Sequence, residues 1–250
     1  MRFSSLHYFP LSAPFLVILG IFLLIVIALV EFHLLSYAYE RMGISRRYVF
    51  GLLLLSLFGS SINIPVVELP PEHVESDRVV YYYGVQYVIP SVEDWPRTIV
   101  AVNVGGAVIP TLLSIYLMIK NSLYGRGFIG IAIVTLIVHW LAQPIKGVGI
   151  SVPIFIPPLV SAGAALLLDW ERAAPLAYIS GSLGTLIGAD LLNFDKIRGL
   201  GAPVASIGGA GAFDGVFLTG IIAVLLVPAS TRLRPMSRYR TENRTSVEGL

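Results

Sequence analysis

Residues 13–30 run without one charged, amide or histidine side chain. A helix needs about 20 such residues to cross the hydrocarbon core of a bilayer, and lipid admits only structures that satisfy every backbone polar group internally. Six further apolar runs follow, at 48–67, 98–119, 128–144, 154–168, 173–192 and 204–227. With 56% hydrophobic and 13% charged residues and a mean hydropathy of +0.80, there is too little polar surface for a soluble domain. The sequence therefore predicts an all-α polytopic membrane protein of about seven transmembrane helices. The first run, read over 13–37, is too long for a cleaved leader and lacks a small-residue cleavage site, so it is read as a helix. The fourth and fifth runs are near the lower length limit, where re-entrant geometry is an option.

Orientation follows from where the cations fall. With the N-terminus outside, 11 of the 17 Lys and Arg residues lie on the cytoplasmic side: Arg41, Arg46, Arg47, Lys120, Arg126, Arg172 and the five arginines of the tail. The outer side takes the other six and the acidic loop with Glu68, Glu72, Glu75, Asp77, Glu93 and Asp94. This is the positive-inside asymmetry, giving N-out and C-in in the cytoplasmic membrane. The chain divides into one transmembrane domain over 1–230, including an outer loop at 68–97, and a basic cytoplasmic tail at 231–250. Within the loop, 79–89 reads as two short β-rich runs broken at Gly84. That loop is either an aromatic anchor at the headgroups or an exposed strand edge.

Composition removes several functions. The net charge of +2 is largely the orientation signal, so the bilayer is the expected partner and nucleic acid is not. Zero cysteines exclude disulfides and thiolate chemistry. His33, His73 and His139 show no metal-ligand spacing, and no motif requires a cofactor.

The polar exceptions concentrate in one half of the predicted membrane. Asn103, Gly105, Gly106 and Pro110 open the third run, His139, Gln143 and Pro144 close the fourth, and Asp190 closes the sixth. Gly208, Gly209, Gly211, Asp214 and Gly215 open the seventh. Such one-sidedness predicts a polar cavity facing the outer leaflet, because irregular backbone at membrane depth is tolerated only beside a cavity or inside protein. A carboxylate at bilayer depth costs roughly 3 kcal/mol or more and marks a functional candidate. Asp190 and Asp214 are thus the candidate catalytic pair. Gly208, Gly209, Gly211 and Gly215 let backbone approach them, and Asn103 and His139 are supporting polar groups.

Two acids sharing a proton can hold a water between them, one as general base and the other as general acid. The stretch GAFDGVFLTGI at 211–221 resembles the active-site helix of presenilin and signal peptide peptidase-type intramembrane aspartyl proteases. Their other aspartate lies on the preceding helix, as Asp190 does. The resemblance implies cleavage of a transmembrane peptide by Asp190 and Asp214. Counted along the two helices at 1.5 Å per residue, the carboxyls differ in depth by roughly 7 Å, so the 208–211 segment must unwind to bring them together. The alternatives are an ion- or proton-coupled transporter using the same acids, and a protein in which the acids only bond neighbouring helices. Over 103–228 the chain resembles a prokaryotic membrane family designated domain of unknown function 1614, through NVGGAVIP at 103–110, GTLIGADLLN at 184–193 and GGAGAFDG at 208–215. That likeness implies no activity.

Overall fold

In a computed structural model of the chain, residues 13–70, 72–82, 85–95, 97–145, 149–197, 204–209 and 215–229 are described; for 13–15, 72–82 and 85–95 the description is of backbone alone. Asp214, Gly211 and the 231–250 tail lie outside these residues. In chain order the elements are α1 (Ala13–Arg41), α2 (Arg46–Gly59), β1 (Asn63–Glu68), β2 (Glu72–Tyr82), β3 (Val85–Trp95), β4 (Ile99–Asn103), α3 (Ile109–Lys120), α4 (Tyr124–Leu141), β5 (Gln143–Ile145), β6 (Gly149–Ser151), α5 (Ile156–Leu168), α6 (Ala173–Thr185), β7 (Val204–Ile207) and α7 (Gly215–Leu226). A π-helical turn, Val104–Val108, leads into α3. Another, Leu186–Asp190, extends α6 into a 3-10 segment, Leu191–Ile197.

The chain is mainly helical, and among the described residues three stretches are long and apolar enough to cross a membrane: Leu16–Arg41, Tyr124–Leu141 and Ala173–Lys196. Shorter apolar helices cover Val104–Lys120, Ile156–Leu168 and Gly215–Leu226. α1 continues past the predicted end at residue 37 and stops at Gly43. There φ is +84°, and Ile44 N–H reaches back to the Tyr39 carbonyl at 3.1 Å, a Schellman-type closure for which glycine is the usual residue. Its apolar side chains from Leu16 to Val30 are exposed apart from the half-exposed Gly20. α6 lies in the middle, packed against α3, α4, α5 and α7. Every described residue from Ala173 to Ser182 on it is buried. The small residues allow that crowding: a Cβ at Gly184 would sit 2.6 Å from Val134 Cβ, so α4 could not approach any larger residue there.

Not all the apolar runs are helix throughout. The segments that open the third and seventh runs and close the second are strands, joined in one sheet of order β1-β4-β7. β1 pairs antiparallel with β4, with Asn63 opposite Asn103, and β4 pairs parallel with β7, with Ile99 opposite Val204. Apolarity alone does not separate a short buried strand from a helix end. What decides here is β-branched content together with Pro65, which lacks an N–H and is accommodated on the edge strand β1, where the register shifts between Pro65 and Val67. β5 and β6 form a small hairpin after α4, and β2 pairs with β3 over the full length of both strands, Glu72 opposite Trp95 and Tyr82 opposite Val85.

Contacts sort the helix termini into two ends. At one end the Arg41 guanidinium donates to the Val224 and Val227 carbonyls of α7, and Lys120 donates to the Gly43 carbonyl. Arg126 from α4 and Arg172 from the start of α6 pair with Asp169 after α5. The opposite end gathers the last turns of α2, α4 and α6, the first turns of α3, α5 and α7, and the sheet. The candidate residues among those described are drawn from segments of this second end.

Candidate functional site

Asp190 closes the π-helical extension of α6. An α-helix would normally fray at such an end, leaving its last carbonyls unpaired. Asn193 prevents this: fully buried, it donates through Nδ2 to the carbonyls of Gly188 (2.8 Å) and Ala189 (3.0 Å), and its Oδ1 accepts from Lys196 at 2.7 Å. The turn is further fixed because a Cβ at Gly188 would meet the Thr135 carbonyl of α4 at 2.6 Å. The half-buried Asp190 then accepts a hydrogen bond at Oδ2 from the Gly208 N–H, 2.7 Å away.

Gly208 has φ +84° and Gly209 +77°, a left-handed pair that a side chain would strain. A Cβ on Gly208 would also lie 2.6 Å from both Ala107 Cβ and its backbone nitrogen. The glycine thus fits between the Asp190 carboxylate and the π-helical turn before α3. That turn is held by Asn103, which is 1% exposed. Its Oδ1 accepts from Gly106 N–H at 2.7 Å, while Nδ2 donates to the Ser60 carbonyl at 2.8 Å and to Asn63 Oδ1 at 3.1 Å. Asn63 Oδ1 also lies 2.7 Å from Ser206 Oγ. A chain of short contacts therefore links α2, β1, the α3 entrance and β7, and Asn103 is committed to that frame.

Beside Asp190 lies a cavity of about 440 Å³, lined by β6 and the start of α5, the end of α6, β7, Gly209 and the start of α7. Asp190, Gly209 and Gly215 face it together with the oxygen-bearing Ser151, Thr185, Ser206 and Thr219, and Ile150, Val152, Ile154, Val216 and Leu218 supply an apolar wall. Thr185 is 5% exposed, and its hydroxyl has no hydrogen-bond partner among the described residues. The π turn explains why Thr185 and Asp190 share this cavity. Five residues apart on an α-helix they would point roughly 140° from one another, but a π turn bonds residue i to i+5 and brings them round to one side.

Three expected members of the site are arranged differently. Asn103 and Gly208 sit behind the cavity wall rather than on it. His139 is half-buried near the end of α4 and is not among the residues lining the cavity; its buried Nδ1 has no partner among the described residues. Asp214 and Gly211 lie outside the described residues, so the distance between the two carboxyls is not fixed by them. The described residues contain no group of three His, Cys, Asp or Glu able to hold a metal ion.

The sequence profile of a family described as "Protein of unknown function (DUF1614)" matches residues 57–226. The chain belongs to this family. No curated protein matches it, and no solved structure does. The DUF1614 region takes in the sheet, the cavity and every candidate residue from Asn103 to Gly215, whereas α1, most of α2 and the basic tail fall outside it. Thr185, Asn193 and Ser206, all within the DUF1614 region, escaped the sequence reading. A Thr or Ser in a helix is ordinarily absorbed by a carbonyl three or four residues back, and only the π geometry distinguishes Thr185 from such residues.

At the opposite end, the Asp169 carboxyl is 7% exposed. Burial pushes its pKa up, but the Arg172 backbone N–H and then the charges of Arg172 and Arg126 outweigh burial and hold it below the usual carboxylate range. Arg172 Nε donates to Oδ2 at 2.8 Å and its Nη1 to the Asn121 carbonyl at 2.7 Å. This cluster ties α3, α4, α5 and α6 together and is a structural lock remote from the cavity.

Proposed function

We propose that the chain is a multi-pass protein of the cytoplasmic membrane, oriented N-out and C-in with about seven membrane segments, whose cavity hydrolyses a membrane-embedded peptide by an aspartyl mechanism. In support of the orientation, Arg41, Arg46, Arg47, Lys120, Arg126 and Arg172 all belong to the helix end remote from the cavity, as the positive-inside rule requires of a cytoplasmic face. The exposed Trp140 near the end of α4, and the exposed Trp170 next to Asp169, which pairs with Arg126 in the first turn of α4, lie toward opposite ends of that helix, as two interfacial belts would have them.

One observation carries the hydrolytic reading: Asp190 lines a cavity that Gly215, the chain neighbour of Asp214, also lines. In the proposed reaction the ionised acid of the pair takes a proton from water, whose oxygen bonds to the scissile carbonyl carbon. The other acid gives its proton to the carbonyl oxygen. Collapse of the tetrahedral species breaks the C–N bond, the leaving nitrogen takes the proton from the first acid, and the second recovers its own.

A second reading has its own support. Among the described residues, the polar lining contains oxygens and no nitrogenous side chain, and the buried Thr185 hydroxyl is unengaged by them, which suits a bound cation in a transporter. Cleavage of a helical transmembrane peptide by detergent-purified protein, from acidic to neutral pH, separates the two. Loss of cleavage in both Asp190→Asn and Asp214→Asn supports the acid pair. Folded wild type that never cleaves sinks it, and sodium- or proton-dependent flux abolished by Asp190→Asn would then establish transport.

A further inference from the structure

A second cavity, of about 530 Å³, lies between α2 and α3 on their open face, where Tyr48, Leu55, Leu112 and Tyr116 are exposed. The helices touch at one end, where a Cβ on Gly59 would meet Gly105 N at 3.1 Å, and further along they enclose a groove. Its walls are Leu52, Leu55, Ile109, Leu112 and Leu113, with Gly51 leaving its floor open: a Cβ there meets nothing within 4 Å. From Arg47 to Leu55 the groove runs roughly 12 Å along α2, comparable with one leaflet's share of a ~30 Å hydrocarbon core.

Charge marks only one end. Arg47 lines the groove, lies 5.0 Å from the Tyr48 ring and has no ion-pair partner among the described residues, unlike its neighbour Arg46, which pairs with Glu40. Near the same end, the ammonium of Lys120, which donates to the Gly43 carbonyl, lies 5.4 Å from the ring of Tyr116, a residue of the groove wall. A dry trough the depth of a leaflet, with two cations set on aromatic rings at its interfacial end, complements a molecule with an apolar tail and an anionic head. We infer that this groove binds an anionic glycerophospholipid, one acyl chain between α2 and α3 and its phosphate at Arg47 and Lys120. A zwitterionic lipid presents the same chain but offsets the phosphate with its own cation, and a free phosphate ester cannot use the trough.

The inference rests on membrane embedding and is independent of the aspartate pair. The full chain, purified in detergent, is incubated with phosphatidylglycerol or with phosphatidylcholine of identical chains, and retained lipid is counted by native mass spectrometry. Phosphatidylglycerol is expected to be retained preferentially and not displaced by glycerol 1-phosphate. Arg47→Gln should lower its retention about fivefold, the share one arginine supplies near an anionic surface, while Arg47→Lys keeps most of it. Gly51→Leu should abolish retention by filling the trough, and its melting temperature should match or exceed wild type, because leucine is the better helix former. Equal retention of the two lipids, or retention unchanged by Gly51→Leu in folded protein, overturns the site. Recovery of the chain from the soluble fraction without detergent would instead overturn membrane embedding itself.

Discussion

Replacing Asn103 with alanine removes an amide that serves three partners at once. Gly106 N–H loses its acceptor, the Ser60 carbonyl loses a donor, and Asn63 Oδ1 loses one of two neighbours. Gly106 and Ser60 are buried, so water does not replace the first two. A buried group left unpaired costs about 1–3 kcal/mol, giving roughly 2–6 kcal/mol for the pair, with little added by Asn63, which is exposed and keeps Ser206. Asn103→Asp is the sharper variant. It keeps the acceptor for Gly106 but turns a carboxylate toward the Ser60 carbonyl and Asn63 Oδ1, so it should be at least as unstable as Asn103→Ala at neutral pH. Protonation restores one donor, and the defect should shrink on acidification. Unfolding in mixed micelles, followed by circular dichroism, measures both. A loss within about 0.5 kcal/mol of wild type for Asn103→Ala, or an aspartate variant indifferent to pH, would refute the claim that this amide holds the entrance of α3.

Other outcomes follow from the same geometry. Gly208→Ala should destabilise by about 2–4 kcal/mol, from a left-handed φ and overpacking against Ala107, and should depress whatever activity Asp190 supports, read by melting and by cleavage or flux. Thr185→Val removes a buried hydroxyl that no described residue engages, so the empty protein should be as stable as wild type or up to about 1 kcal/mol more so. If the hydroxyl serves a ligand in the cavity, substrate or cation affinity should fall, as a rise in KM or in half-saturating concentration shows. Asp169→Asn should destabilise at neutral pH by loosening Arg126 and Arg172. Because the folded Asp169 pKa is depressed, its contribution is complete above the unfolded value of about 3.9 and is lost as pH falls through the folded value, so the gap to wild type should close below about pH 4.

The long apolar helices were legible because length and hydropathy are local properties: 13–30 and 128–144 announce themselves without reference to anything else. The grouping of polar residues at one end was also readable, since Asn103, Asp190 and Gly208 break otherwise uniform runs. What could not be read was the backbone those breaks adopt. Asn63, Asn103 and Ser206 stand far apart in sequence, and only tertiary pairing makes strands of their neighbours. The participation of Thr185 depends on a π turn, and neither α nor β periodicity encodes one. His139 shows the converse failure, a conspicuous residue at the expected depth that does not line the cavity.

The parallel pairing of β4 with β7 has a consequence for the order of assembly. These strands lie about a hundred residues apart, so the parallel pair cannot form until residues 204–207 have been synthesised, and closing so long a loop adds its own entropic cost. Until residues 204–207 arrive, β4 has β1 alone as a partner, Asp190 lacks the Gly208 amide, and one wall of the cavity is missing. The cavity therefore acquires its β7 and α7 walls only once those residues have been made, and a chain stalled before them lacks both the Gly208 amide and that lining.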